Sequence, residues 1–158
     1  MSKTLPILTK PSPILRQKSK EIKKDELKNK EFQIFCDDMI KTMKEKDGIG
    51  LASPQVGKSI RLIVVNEKDG PICMINPRVI KKSLLKEWDE EGCLSVPGVY
   101  GEVKRCKKII CEYTDRSGDK TKINAEGLLA RVILHEIDHL DGILFIDKAK
   151  NIHEVEQL

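Results

Sequence analysis

The chain has 158 residues, 39% of them hydrophobic and 34% charged, which suits one compact core with a small pocket and leaves no apolar run long enough to span a membrane. Its formal net charge of +4, with acids and bases mixed along the chain, gives no phosphate-backbone footprint and argues against a nucleic acid substrate. The five cysteines are odd in number and show no CxxC pair, which fits thiols in a reducing, cytoplasmic compartment better than a disulfide framework.

Residues 1–24 read as an irregular lead-in in which Pro6, Pro11 and Pro13 prevent the amphipathic helix that a transit peptide would need. No apolar stretch of a secretion signal follows the N-terminus either. Residues 25–46 place Leu27, Ile34, Phe35, Met39 and Met43 at helical spacing, and Gly48 stops that amphipathic helix. The β-branched run IRLIVVN at 60–66 predicts a strand, with further strands at 72–75, 78–88 and 103–114. Within the last of these, Lys104, Arg105, Lys107 and Lys108 alternate with apolar residues and read as a solvated strand face. DRSGD at 115–119 predicts a hairpin turn with Gly118 in the left-handed region. Residues 128–140 form the second predicted helix, ended by Gly142. No repeat, low-complexity tract or linker interrupts the chain, so 1–158 is expected to form a single α+β domain. Its antiparallel β-sheets would pack around a buried C-terminal helix, with an N-terminal helix beside them.

Two of the three histidines lie in that C-terminal helix, in the string HEIDH at 135–139. Residues four apart on a helix are about 40° from each other around its axis, so His135 and His139 can reach one metal ion. Glu136 sits beside the pair, where it can take a proton from a water whose pKa a bound Zn²⁺ lowers to about 7. Ile133, Leu134, Ile137 and Leu140 make this helix too apolar to be a solvated face, and burying histidines and acids without partners would be costly. Asp138 needs such a partner, and Arg105 is expected to supply it.

HExxH alone names a broad class, which the third ligand subdivides. A metzincin histidine is excluded because position 145 is Phe. A downstream acid, Glu154 or Glu156, lies in a short polar tail with little to hold it. Upstream, Cys93 sits in EGCLS at 91–95, and a thiolate there would complete a Cys plus two His set with an open position.

With GIGLASPQ at 48–55, EGCLS at 91–95 and HEIDH at 135–139 in order, the sequence resembles the peptide deformylase family. The similarity extends from ILTKPSPILR at 7–16 to LLARVILHE at 128–136, so the N-terminus resembles mature enzyme. The resemblance implies hydrolysis of the N-formyl group from the formyl-methionine of newly made chains. It implies Cys93, His135 and His139 as metal ligands, and attack of metal-bound water on the formyl carbon with Glu136 as general base. Gln55 and the backbone N–H of Leu94 would act on the formyl oxygen, as an oxyanion requires. Ile49 and Gly50 match backbone contacts to substrate, and Leu128, Val132 and Ile49 are candidates for the methionine pocket wall. The implied ion is Fe²⁺, with Zn²⁺, Co²⁺ or Ni²⁺ able to substitute. Formyl-methionyl nascent peptides are the implied partners, with a weak ribosome contact for which the short segment after His139 offers no long helix. The alternative is a zinc endopeptidase, which would share HExxH but not the other two motifs. Ser53 and Leu134 depart from the family's common Ala and Gln, which puts only surrounding packing and hydrogen bonding in question.

Overall fold

The computed structural model describes residues 1–156, so Gln157 and Leu158 of the expected domain lie outside the described residues. Asn29 decides where the first helix begins. Its side chain accepts from the Glu31 N–H at 2.9 Å, capping α1 at Lys30–Glu45, and the preceding Lys24–Lys28 forms a separate 3-10 turn. The predicted helix over 25–46 is therefore two elements. Phe35, Met39 and Met43 are buried as expected, but Ile34 is exposed.

Two antiparallel sheets follow. The larger runs in the order β1 (Gly50–Ala52), β2 (Leu62–Glu67), β3 (Gly70–Lys82), β6 (Lys108–Thr114) and β7 (Lys120–Glu126). The smaller joins β4 (Lys86–Cys93), β5 (Val96–Cys106) and β8 (Lys150–Glu154). The predicted strand at 78–88 is thus split between β3 and β4, and that at 103–114 breaks at Lys107 between β5 and β6. The segment read as a loose polar tail supplies β8, whose side chains are exposed and whose place comes from backbone pairing with β5.

The continuous apolar run of β2 is explained by burial on both faces. Ile63 and Val65 pack with Ile133 and Leu140 of α2 (Leu128–Leu140), while Leu62 and Val64 pack with Phe35, Met39 and Met43 of α1. Burying each such side chain is worth roughly 1.5–3 kcal/mol relative to leaving it exposed. The five-stranded sheet is therefore held between two helices, and α2 is fixed along its length. Gly142, at φ +75°, ends α2 with its N–H on the His139 carbonyl at 3.1 Å, and a Cβ there would lie 2.5 Å from the Arg16 carbonyl oxygen. The turn at 115–119 forms as expected, with Gly118 at φ +92°.

The lead-in stitches the motif segments together from behind. Leu8 donates its N–H to the Gln55 carbonyl at 2.7 Å, Lys10 to the Ser95 carbonyl at 2.9 Å, and Ser19 to the Leu140 carbonyl at 2.7 Å. Among the described residues, no helix is long and apolar enough to cross a membrane.

Candidate active site

α2 begins at Leu128 and packs Ile133 and Leu140 on the five-stranded sheet, while Val132, Glu136 and His139, each one position before a helix neighbour of that face, are also buried. The end of β4 meets that helix. A register shift at Gly92 and Cys93 breaks the ladder with β5 and turns the Cys93 thiol toward α2. Cys93 Sγ lies 3.3 Å from His139 Nε2, and the ligand atoms of Cys93, His135 and His139 all lie within 4.8 Å of one another.

A cleft of about 410 Å³ opens over this cluster. Every catalytic, substrate-contact or metal-ligand candidate from the sequence lines it except His139, which is 1% exposed and sits behind the other two donors. Ile49 and Leu128 stand exposed at the rim, and Val132 is buried between them and Glu136 along α2. Gly50 is required for close approach rather than for a turn. A Cβ there would lie 2.7 Å from Val132 Cγ1 and 2.8 Å from Glu136 Oε1, so β1 passes directly over α2.

Gln55 belongs to the 3-10 turn Ser53–Val56 that follows β1, and it is buried. Its Oε1 accepts from the Ala52 N–H at 2.9 Å, and Nε2 donates to Ser95 Oγ at 3.1 Å and approaches Cys93 Sγ at 3.5 Å. Leu94 lines the cleft next to Cys93. The Ser53 hydroxyl donates to the Lys58 carbonyl at 2.7 Å, and Leu134 packs against the core beneath α2, so neither departure from the family pattern leaves a polar group unpaired.

Beneath the donors lies a buried charge network that the sequence only partly disclosed. Arg105 pairs with Asp138 at 2.6 Å, as expected, and so is not part of a solvated strand face; Lys104 and Lys108 are exposed. Arg105 also forks onto both oxygens of Glu91 at 2.9 Å each, and Arg131 Nη1 reaches Glu91 Oε2 at 2.7 Å. The remaining capacity of Glu91 Oε1 goes to His135 Nδ1 at 2.8 Å. Burial raises the Glu91 acid, but the bonds from His135 and Arg105 outweigh it and hold the carboxyl well below its usual range. This second contact orients His135 and leaves its Nε2 to face the cluster. Arg131 and Glu91 were not assigned these roles from the sequence. A lone arginine in the apolar face of HExxH's helix is the signal that could have found the first.

The donor set is a thiol and two imidazoles, which suits one divalent transition ion. Two buried atoms beside it, Glu136 Oε2 and His139 Nδ1, have no hydrogen-bond partner among the described residues. Burial pushes the Glu136 carboxyl up to about 7, against the charge of His135. Burial lowers His135, but the bonds to Cys93 and Glu91 prevail and raise it to about 10, while burial and the His135 charge hold His139 well below its usual value.

A family model described as polypeptide deformylase matches residues 4–155. A peptide deformylase of Dictyoglomus thermophilum is 52% identical over 137 residues, covering 87% of this chain and 87% of that protein. The crystal structure of peptide deformylase from Thermotoga maritima superposes with a TM-score of 0.87 at 38% identity, covering 93% of this chain and 98% of that one. The Met-Ala-Ser-bound class I type b peptide deformylase of Acinetobacter baumannii superposes with a TM-score of 0.89 at 34% identity, covering 94% of this chain and 99% of that one. A match of this length, with relatives of this closeness, means that the chain belongs to the peptide deformylase family and is a deformylase enzyme.

Proposed function

We propose that this deformylase is a metal-dependent hydrolase acting on the N-formyl group of formyl-methionyl nascent peptides, with Cys93, His135 and His139 holding one divalent ion. The observation that carries this proposal is the convergence of those three donor atoms, within 4.8 Å of one another, beneath a cleft that Glu136 and Gln55 also line. Those residues would hold a divalent ion where it would polarise the formyl carbonyl and acidify an adjacent water.

The chain's own groups do the rest. Glu136 takes a proton from the attacking water and returns it to the methionine nitrogen as the C–N bond breaks, leaving formate and a free amine. Gln55 Nε2 and the Leu94 backbone N–H donate to the formyl oxygen as it gains negative charge. Ile49 and Gly50 present backbone groups to the peptide, and Leu128, Val132 and Ile49 form the wall against which the methionine side chain packs. A tripeptide beginning with methionine, bound to the Acinetobacter baumannii relative, supports this substrate class. A mixed nitrogen and sulfur donor set suits Fe²⁺ as the native ion, with Zn²⁺, Co²⁺ or Ni²⁺ substituting. Action in the cytoplasm, with weak contact to the ribosome, belongs to the same proposal, because the substrate is a chain that has just been made.

Formate release from a formyl-Met peptide, set beside cleavage of a peptide blocked at its N-terminus, tests this function. The expected result is formate release without internal cleavage, from an iron form that loses activity in air faster than the Co²⁺ form, since an iron-bound thiolate is open to oxidation. Internal cleavage without formate release would establish the endopeptidase, which the family match does not favour.

A further inference from the structure

A primary amide has one acceptor end and a two-hydrogen donor end, so fixing any two of these directions fixes the third. In Gln55 the acceptor end is set by the Ala52 N–H, which can only donate and which meets Oε1 at 2.9 Å. The amide nitrogen therefore faces the cluster. One of its hydrogens goes to Ser95 Oγ at 3.1 Å, and the nitrogen stands 3.5 Å from Cys93 Sγ. Ser95 is fully buried and Gln55 is 2% exposed, so the contact between them is shielded from bulk solvent.

The backbones of both residues are held independently of these side chains. The Leu8 N–H binds the Gln55 carbonyl at 2.7 Å, and the Lys10 N–H binds the Ser95 carbonyl at 2.9 Å, so one short strap spans the two loops. The Ser95 backbone N–H also approaches Cys93 Sγ at 3.4 Å. Removing the Ser95 hydroxyl leaves all three of these backbone contacts in place.

We infer that Ser95 is a positioning residue for deformylation: its hydroxyl holds one Gln55 N–H so that the other is fixed beside Cys93 Sγ, on the cleft side where the formyl oxygen would sit. This rests on the oxyanion role proposed for Gln55. Without the hydroxyl the amide keeps its Ala52 anchor but swings about it, and the donor is no longer aimed when the charge develops.

A double-mutant cycle separates this role from packing. Ser95→Ala is expected to lower kcat about 10-fold, the worth of one neutral hydrogen bond, with KM unchanged. Metal content and the visible absorption of the Co²⁺ form should stay at parent values, because the Cys93 contact comes from the backbone. Ser95→Thr, which keeps the hydroxyl, should recover most of the rate. Gln55→Ala should lower kcat about 10²-fold, as loss of an oxyanion donor does. In that background Ser95→Ala should cost less than about 2-fold, since its effect passes through an amide no longer present. Ser95→Ala at the parent rate, or an equal loss in both backgrounds, overturns the inference. Gln55→Ala at the parent rate would remove the oxyanion role itself, and with it the part assigned to Ser95.

Discussion

His139→Ala should strip the protein of both its ion and its activity. His139 is 1% exposed and its Nε2 lies 3.3 Å from Cys93 Sγ, so this donor closes the cluster from the protein side, where no solvent group can replace it. Loss of a mere outer partner of a ligand costs about 10- to 100-fold in metal affinity, and loss of a ligand from a set of three should cost more than that. Metal analysis after dialysis, read beside formate release, checks the result. The other four cysteines provide the control. Cys36, Cys73, Cys106 and Cys111 are buried away from the cluster, and their change to Ser should leave metal content intact. A His139→Ala protein that keeps one ion per chain would show that the donors are misassigned.

Glu136→Gln should divide catalysis from metal binding at one residue. The side chain is 4% exposed, lies close against Gly50, and has Oε2 unpartnered among the described residues. Gln has the same shape, so the helix, the His135 and His139 geometry and the ion should all persist. Only the proton acceptor is lost, and turnover should fall about 10²- to 10⁴-fold, the usual worth of a positioned general base. Substrate should still bind. A fully metallated Glu136→Gln protein with near-parent turnover would make Glu136 structural. Glu91 could not then take its place, because Arg105, Arg131 and His135 already occupy both of its oxygens.

How much of this was legible in the sequence depended on the range of each interaction. The helix at 128–140 was read to the residue, because its apolar periodicity and its glycine stop are both local. The pair Arg105 and Asp138 is legible too, since a carboxylate in an apolar helix needs a partner. By contrast β1, of three residues, β7, with its alternating polar run, and β8, with every side chain exposed, owe their existence to backbone partners far along the chain. Their own composition carries little strand signal. The convergence of Glu91, Arg131 and His135 depends on how β4 lies against α2, and no spacing in the sequence encodes that. The strap made by residues 8–10 was invisible for the same reason: its contribution is two backbone N–H groups, which every sequence has.

If one ion held by Cys93, His135 and His139 makes this chain active, stoichiometric reconstitution should show it. Metal-free protein would be titrated anaerobically with Fe²⁺, and in parallel with Co²⁺, while formate release from a formyl-Met peptide is followed. Activity should be absent from the metal-free protein, rise linearly with added ion and stop rising at one per chain, with no rise in a Cys93→Ala variant. Full activity in the metal-free protein, or an unchanged titration with Cys93→Ala, would show that no ion held by these three residues is needed.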